Sequence, residues 1–149
     1  MYIDKKFWKN KRVLVTGHTG FKGSWLSICL AKLGAQIFGY STAPPTNPNL
    51  FTVAHVPDCL IHSTIADIRD FDSLNESLRS SAAQIVFHLA AQSLVKKSYN
   101  RPLETFTINT IGTINLLEYL KTNKSKCYAI FITSDKVYKN REWNWGYRE

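Results

Sequence analysis

Three evenly spaced glycines near the start of the chain, Gly17, Gly20 and Gly23, have the spacing of an anion-binding turn. They follow a short β-branched run at residues 12–15 and precede a helical pattern. A turn of this kind directs unpaired backbone N–H groups and the positive end of the helix dipole at one spot. We expect Gly17 to permit the tight turn, Gly20 to admit a pyrophosphate, and Gly23 to let the helix pack closely on the sheet.

Two other interpretations of this turn compete with a dinucleotide site. A Walker A loop needs Gly-Lys-Ser/Thr, whereas the order here is Lys22-Gly23-Ser24, so an ATP-gripping loop is disfavoured. The other alternative is an ordinary strand–helix turn that happens to contain glycines. Because the strand, the glycines and the helix fall in register, nucleotide binding is the favoured hypothesis.

A hydroxyl, a carboxyl and an amine follow one another at Ser134, Asp135 and Lys136, directly after an apolar run at residues 127–133. Such groups are the parts of a proton-transfer site if they face a cofactor at the carboxyl end of a strand. The alternative is a polar turn, which is common after a strand.

The elements that position these groups alternate along the chain. Strands are predicted at residues 12–15, 35–40, 60–66, 83–89 and 127–133. Helices are predicted from Phe21 to Leu33, after an N-cap at Asp70, and from Pro102 to about Thr122. The first helix is expected to turn one apolar face inward, formed by Phe21, Trp25, Leu26, Cys29, Leu30 and Leu33. Five alternations with right-handed crossovers predict an α/β fold with a doubly wound parallel sheet, one nucleotide-binding domain over residues 1–149. Ligands of such sheets bind at the carboxyl ends of the strands.

The end of the second strand lacks the acidic residue that normally binds the adenosine ribose of NAD. Residues 39–43 read GYSTA, with no carboxylate, and no Arg or Lys that would pair with a 2′-phosphate. We therefore expect NAD rather than NADP, bound loosely, with ribose contacts from Ser41 or from backbone.

Asp67 and Ile68 follow the third strand, and two interpretations are about even. They form a helix-capping turn shared with Asp70, or Asp67 accepts a hydrogen bond from the adenine amino group while Ile68 covers the ring.

Small residues follow the fourth strand at Leu89, Ala90 and Ala91, where a dinucleotide could lie flat against the backbone. His88, just before them, is interpreted as a core histidine with satisfied hydrogen bonds. Asn109, in the long helix, either satisfies a buried backbone group or shapes the site from behind.

Composition excludes several functional classes. The net charge of +8 is spread over the chain without a basic stripe, so no nucleic-acid partner is expected. The sequence shows no signal peptide, no apolar run of about 20 residues and no metal-ligand spacing among its histidines. Cys29, Cys59 and Cys127 are expected to be buried free thiols, typical of a reducing cytoplasm.

Several stretches together resemble the CDP-glucose 4,6-dehydratases of the extended short-chain dehydrogenase/reductase superfamily. They are TGHTGFKGSWL at residues 16–26, DIRD at 67–70, HLAAQ at 88–92, TSDKVY at 133–138, NREW at 140–143 and GYRE at 146–149. Lys136 after Asp135 and the Trp-rich stretch are specific features, because related dTDP-glucose dehydratases have Glu after the Asp. The resemblance covers nearly the whole chain.

The resemblance implies a site and a reaction. Implied cofactor contacts for NAD are Gly17, Thr19, Gly20, Phe21, Lys22, Gly23, Ser41, Asp67, Ile68, Leu89, Ala90, Ala91, Asn109 and Thr133, and implied substrate contacts are Gln92 and Ser93. In the family's reaction, hydride leaves C4 of the sugar for NAD+, water is lost from C5 and C6, and hydride returns to C6. The product is CDP-4-keto-6-deoxyglucose, a precursor of dideoxy sugars in surface polysaccharide. By position, the resemblance implies that Asp135 protonates the leaving C6 hydroxyl and that Ser134 hydrogen-bonds the C4 oxygen. Lys136 occupies the position of the base that removes the C5 proton.

One departure limits the activity expected of these 149 residues. The superfamily's Tyr-x-x-x-Lys pair occurs here only as Tyr2 and Lys6, before the first strand, which is the wrong place. We therefore expect the cofactor-binding portion of a longer enzyme, inactive alone, whose complete form is a homodimer paired through the long helix. The alternatives are another sugar-nucleotide epimerase or dehydratase, and a non-catalytic nucleotide-binding module.

Overall fold

The computed structural model describes residues 4–123, 126–134 and 137–148. In this part of the chain five strands form one parallel sheet: β1 (Arg12–Thr16), β2 (Gln36–Ser41), β3 (Leu60–Ile65), β4 (Ile85–His88) and β5 (Tyr128–Phe131). Their order is β3-β2-β1-β4-β5, so the direction of winding reverses between β1 and β4. The predicted doubly wound α/β sheet is confirmed, with each strand close to its predicted place.

The helices are α1 (Lys5–Trp8), α2 (Phe21–Lys32), α3 (Leu50–Val53), α4 (Phe71–Ser81), α5 (Val95–Asn100), α6 (Pro102–Phe106) and α7 (Gly112–Thr122). A short 3₁₀ turn, Val56–Cys59, precedes β3. The predicted long helix begins at Pro102 and ends at Thr122, but a π-helical segment, Thr107–Ile111, separates α6 from α7. Asp70 caps α4 as predicted, its Oδ1 accepting from Ser73 N at 3.1 Å.

Apolar residues of the strands alternate between two cores, one on each face of the sheet. Val13, Val15 and Ile37 pack with Leu30 of α2. Leu14 and Val86 pack on the other face with α4 and α7, through Leu74, Leu78 and Leu116. Burial on both faces explains why the strands are apolar runs rather than alternating ones.

The predicted inner face of α2 is only partly right: Leu30 is buried and Leu26 packs against the core, but Phe21, Trp25 and Cys29 face outward. Its buried residues are Gly23, Ser24, Ser27 and Leu30, while Phe21 is 70% exposed and Trp25 is 50% exposed. Small residues face inward because the helix lies close against the glycine turn. Ser24 Oγ donates to His18 O at 3.0 Å and Ser27 Oγ donates to Gly23 O at 2.8 Å, so these polar side chains are satisfied there. Cys29 is on the outer face, so the expected burial of this thiol is wrong as well; Cys59 and Cys127 are half-buried, and all three are free.

Candidate functional site: a dinucleotide cradle at the carboxyl edge of the sheet

The register of the sheet brings the predicted site segments to one edge. Thr16 pairs with Tyr40 on one side and with His88 on the other, and His88 pairs with Phe131. The glycine turn, Ser41, Leu89 and the segment leading to Ser134 therefore all leave the sheet at this edge, beside the reversal of strand order, where ligands of such sheets bind.

The glycine turn begins with a left-handed residue. Gly17 has φ +76°, a conformation that a residue with a Cβ rarely adopts. Its N–H donates to Tyr40 O at 2.8 Å, which fixes the turn to β2. At Gly20, the N-cap of α2, no side chain caps the helix, and the first turn of α2 carries no acidic residue. The N-terminal amides and the dipole of α2 are thus left for an anion.

At two of the three glycines the space that a side chain would need is filled by neighbouring backbone, and at the third it is open. A Cβ on Gly17 would lie 2.9 Å from Ala90 N, and one on Gly23 would lie 2.1 Å from Gly17 O. A Cβ on Gly20 would meet only Gly17 O, at 3.3 Å, so the outer side of Gly20 is open. Gly23 therefore makes room for the turn itself rather than for the sheet. The open side at Gly20 fits a diphosphate, as a dinucleotide requires.

Hydroxyl groups occupy the place of the usual carboxylate at the end of β2. Thr19 Oγ1 lies 2.8 Å from Ser41 Oγ and donates to Thr42 O at 2.9 Å. Both side chains are nearly buried, with Thr19 3% and Ser41 8% exposed.

The acidic residue after β3 makes an ion pair. Arg69 Nη2 lies 2.6 Å from Asp67 Oδ2, and Arg69 N donates to Oδ1 at 2.9 Å. Hydrogen bonding from Arg69 holds the pKa of Asp67 below its usual value. Asp70 N donates to Asp67 O at 3.0 Å and Asp70 caps α4, so the predicted capping turn shared by Asp67 and Asp70 is formed. The alternative role of Asp67, toward adenine, stays a prediction. The Ile68 side chain is only 5% exposed, and a Cβ on Gly112 would lie 2.5 Å from its Cγ2. Contact between Ile68 and adenine would thus come mainly from its backbone.

His88 is a core histidine with both ring nitrogens satisfied, as predicted. Thr16 Oγ1 accepts from Leu89 N and Ala90 N, each at 3.1 Å, so its single hydrogen points to His88 Nδ1 at 2.8 Å. Thr113 Oγ1 donates to Asn109 O and therefore accepts from His88 Nε2 at 3.1 Å. This chain of bonds defines the Nε2–H tautomer. Burial lowers the pKa of His88 to about 4, which keeps the ring neutral.

The loop after β4 is fastened to the π-helical segment. Asn109 Oδ1 accepts from Gln92 N at 2.8 Å and Asn109 Nδ2 donates to Gln92 O at 3.1 Å. Asn109 thus satisfies backbone groups and shapes the site from behind, which joins its two predicted roles. π-helical turns are often found at functional sites.

Gln92 serves the same loop rather than standing free. Its Oε1 accepts from Leu94 N at 2.8 Å, and its Nε2 donates to Leu94 O and to Thr105 Oγ1. Gln92 is buried, and these bonds show that it braces the loop. A contact between Gln92 and a substrate stays a prediction. Ala91 and Ser93 on either side are exposed, and Leu89 and Ala90 are half-buried.

The predicted proton-transfer residues are described only in part. Thr133 and Ser134 follow β5 and are exposed at the carboxyl edge, whereas Asp135 and Lys136 lie outside the described residues. Phe21 and Lys22, the remaining predicted contacts, are exposed on the first turn of α2, beside the open side of Gly20.

The Trp-rich stretch forms an aromatic cluster of its own. Tyr138 and Tyr147 are stacked with centroids 5.4 Å apart, and Trp143 lies 5.6 Å from Tyr147. The Tyr147 hydroxyl accepts from Arg141 N at 2.8 Å.

Three supporting residues were missed from the sequence: Thr16, Thr113 and His18. His18 is buried, lies 2.7 Å from Ser63 Oγ through Nε2, and contacts β2 where a Cβ on Gly39 would be 2.4 Å from its ring. A glycine inside an apolar strand was the available signal for such a close approach.

Among the described residues, no group of three His, Cys, Asp or Glu side chains could hold a metal ion. No helix in this part of the chain has the length and apolar character of a membrane span.

Comparison with known proteins places the chain in a family. The family model described as GDP-mannose 4,6 dehydratase matches residues 14–143, which includes the glycine turn, the β4 loop and the segment after β5. The chain belongs to this dehydratase family. Over 147 residues it is 53% identical to the CDP-glucose 4,6-dehydratase of Salmonella typhimurium, with 99% of this chain and 41% of the relative covered. The resemblance predicted from the sequence motifs is thus confirmed.

Solved structures of two UDP-glucose 4-epimerases share the fold. A UDP-glucose-4-epimerase from Stenotrophomonas maltophila, with bound NAD and formylated UDP-arabinopyranose, matches at a TM-score of 0.71 and 27% identity, covering 91% of this chain and 40% of that one. A UDP-glucose 4-epimerase from Brucella ovis in complex with NAD matches at 0.69 and 27% identity, covering 82% of this chain and 35% of that one. The chain spans about two-fifths of the length of these relatives.

Proposed function

We propose that this chain is the NAD-binding part of a lyase that converts CDP-glucose to CDP-4-keto-6-deoxyglucose. The observation that carries the proposal is the 53% identity to a CDP-glucose 4,6-dehydratase over 99% of the chain, together with a glycine turn whose open side fits a diphosphate. Two relatives of the same fold bind NAD. When bound, NAD accepts a hydride from the sugar and returns it.

Different residues of the site bind different parts of the dinucleotide. The amides of the first turn of α2, at residues 21–23, and the dipole of α2 hold the pyrophosphate, while Asp67 accepts from the adenine amino group. The nicotinamide half lies against the backbone of Leu89, Ala90 and Ala91. Thr16 Oγ1 accepts from the amides of Leu89 and Ala90 and so holds this loop against β1. Thr133, which follows β5, contacts the cofactor from the β5 side of the site.

The residues that follow β5 carry out the proposed proton transfers. In the proposed reaction Ser134 donates a hydrogen bond to the C4 oxygen, Asp135 protonates the leaving C6 hydroxyl and Lys136 removes the C5 proton. These roles require Asp135 to be protonated and Lys136 neutral, states that burial and neighbouring charge can produce. We expect no turnover from residues 1–149 alone, because the sequence has a Tyr-x-x-x-Lys pair only at Tyr2 and Lys6, before the first strand, and none after the fifth strand to take the C4 proton.

An apolar face on the helices α6 and α7 supports pairing of two copies. Leu103 is 76%, Phe106 71%, Ile114 49% and Leu117 48% exposed, and within each helix the spacing of three residues puts the pair on one side. We infer a homodimer through this face, and a cytoplasmic enzyme of surface-polysaccharide synthesis with no nucleic-acid partner. Sedimentation of wild type and of Phe106→Asp tests the pairing: the wild type should sediment as a dimer and the variant as a monomer.

The function itself is tested in two steps. Titration of the 149-residue chain with NAD, followed by isothermal calorimetry, should show one site, and the chain should leave CDP-glucose unchanged. A protein carrying this chain together with a Tyr-x-x-x-Lys helix should convert CDP-glucose and spare UDP-glucose and GDP-mannose. If that longer protein prefers UDP-glucose, the epimerase alternative is favoured. If it binds NAD but converts no nucleotide sugar, a non-catalytic module is favoured.

A further inference from the structure

A cavity outside the dinucleotide site is lined by aromatic and basic side chains and by one glycine. Its volume is about 870 Å³, within the range of about 300–1,000 Å³ that is usual for small-molecule sites. Four aromatic rings line it: Tyr138, Trp143, Trp145 and Tyr147. None of its lining residues is among those predicted to hold the dinucleotide, and within the part of the chain that the structure describes no Asp or Glu lines it.

Three of the four rings support one another. Tyr138 and Tyr147 are stacked with an angle of 11° between their planes, and the Trp143 ring lies 5.6 Å from that of Tyr147. The Tyr147 hydroxyl accepts from Arg141 N at 2.8 Å and donates to Asn140 Oδ1 at 3.2 Å, which fixes this ring at its outer end. The three rings therefore form a wall whose position does not depend on a ligand.

The fourth ring of the cavity, Trp145, is open to a ligand. Its side chain is 78% exposed, and no other ring of the described residues stacks on it. A nucleic-acid base stacks on an exposed aromatic ring whatever the identity of the base, because every base has a π-face. Trp145 is therefore a platform on which a base can stack.

Three cations, Lys139, Arg141 and Arg148, line the same cavity. Arg141 Cζ lies 5.5 Å from the centroid of the Trp143 ring, so this guanidinium is held over the aromatic wall. In the described part of the chain none of the three cations forms an ion pair with a carboxylate. A nucleoside diphosphate carries about three negative charges near pH 7, because its terminal phosphate has a second pKa near 6. The three cations match that charge, and arginine suits phosphate because it can bind two oxygens at once.

We propose that this cavity is a second nucleotide site, which takes a free nucleoside diphosphate with its base on Trp145 and its phosphates on the three cations. A dinucleotide or a nucleotide sugar has no terminal phosphate and presents only about two charges, so the site favours the free nucleotide over both. The volume suits one nucleotide rather than a nucleic-acid strand, whose affinity would grow with each further base and phosphate. The inference goes beyond the proposed function, since it assigns a ligand to residues outside the dinucleotide site.

Calorimetric titration of the 149-residue chain with CDP tests the site. CDP should bind with a dissociation constant below about 1 mM. Cytidine, which lacks the phosphates, and inorganic pyrophosphate, which lacks the base, should each bind at least about 5-fold more weakly. UDP and ADP should bind within about 5-fold of CDP, because stacking is tolerant of the base, and CDP-glucose should bind at least about 3-fold more weakly.

Variants with matched controls show which groups are responsible. Trp145→Ala should weaken CDP at least about 5-fold, and Arg148→Gln should weaken it about 3- to 10-fold. Trp25→Ala and Arg79→Gln change an exposed ring and an exposed cation outside the cavity, so both should stay within about 2-fold of wild type. Gly20→Ala, which blocks the diphosphate side of the glycine turn, should also bind CDP within about 2-fold of wild type.

Several outcomes would overturn the inference. A dissociation constant for CDP above about 1 mM would show that the cavity holds no nucleotide, and equal affinities of wild type and Trp145→Ala would show that the ring is no stacking platform. Loss of CDP binding in Gly20→Ala would place CDP on the glycine turn instead. Equal affinities for CDP and CDP-glucose would show that the terminal phosphate is not bound, and an oligothymidine that binds far more tightly than CDP would show a strand-binding surface.

The same variants separate this inference from the proposed function. Trp145→Ala should leave NAD affinity within about 2-fold of wild type, since the ring is not part of the dinucleotide site. If NAD binds and CDP does not, the second site alone is wrong. If CDP binds through Trp145 and NAD does not bind, the proposed function is wrong and the second site stands.

Discussion

Gly23→Ala should disturb both the fold and the dinucleotide turn. A Cβ at residue 23 would lie 2.1 Å from Gly17 O and 2.8 Å from His18 Cα, where ordinary contact begins at 3.4 Å. Both contacts are with backbone, which cannot rotate away as a side chain can. The first turn of α2 would therefore have to move off the glycine turn, taking its amides with it.

The expected cost of this change follows from two opposing effects. Alanine is favoured over glycine inside a helix by about 1 kcal/mol. Overpacking of a close-packed site costs about 1–3 kcal/mol, occasionally more, and a contact with rigid backbone belongs at the upper end of that range. We expect a net loss of about 2 kcal/mol in the free energy of unfolding, and NAD affinity lowered by at least about 10-fold.

Urea unfolding followed by tryptophan fluorescence measures the first effect, and calorimetric titration with NAD measures the second. Gly146→Ala is the matched control, since nothing lies within 4 Å of a Cβ there. Gly20→Ala, whose Cβ would come no nearer than 3.3 Å to Gly17 O, should lose only about 1 kcal/mol of stability, as an N-cap change does, yet lose NAD binding, because the methyl group occupies the diphosphate side. The reasoning is refuted if Gly23→Ala matches Gly146→Ala in both stability and NAD affinity.

Three further predictions concern the residues that support the cradle. Gly39→Ala should cost about 2 kcal/mol in urea unfolding, because its Cβ would lie 2.4 Å from the His18 ring, and the same change made in a His18→Ala background should cost far less; additive losses would contradict this contact. Thr16→Val, which leaves two amides without their acceptor, should lose about 2–3 kcal/mol, while Thr16→Ser should stay within about 1 kcal/mol; equal losses would rule out the hydroxyl as the cause. The pKa of about 4 for His88 lies below the ordinary 6.5, so the unfolded state binds more protons and stability falls as pH drops from 6.5 toward 4. In urea titrations at several pH values, His88→Gln should flatten that fall by up to about 1.4 kcal/mol per pH unit, and an unchanged slope would show that His88 is not buried as a neutral ring.

The sheet could be predicted from the sequence because its strands are short apolar runs separated by clear helix and turn signals. The same signals placed Asp70 and Pro102 correctly at the starts of their helices. Apolar periodicity predicted the burial of Leu30 but not the rest of the inner face of α2. Its orientation is decided by the close approach of Gly23, Ser24 and Ser27 to the turn, and this small-residue packing leaves Trp25 outside.

The site was predicted by position and only partly by contact. Gly17 behaves as its place in the motif requires, with a left-handed φ. The partners of Asp67 and Gln92 could not be foreseen, because they depend on where Arg69 and Leu94 fold back in space. The tautomer of His88 follows only from counting the hydrogens of two threonines, which no sequence pattern shows.

The most direct measurement is a crystal structure of this chain grown with saturating NAD. The account predicts density for the pyrophosphate against the amides at residues 21–23, on the open side of Gly20, with the adenosine ribose at Ser41. A well-ordered glycine turn with no dinucleotide on it, at a concentration where the ligand is in large excess, would contradict the central claim.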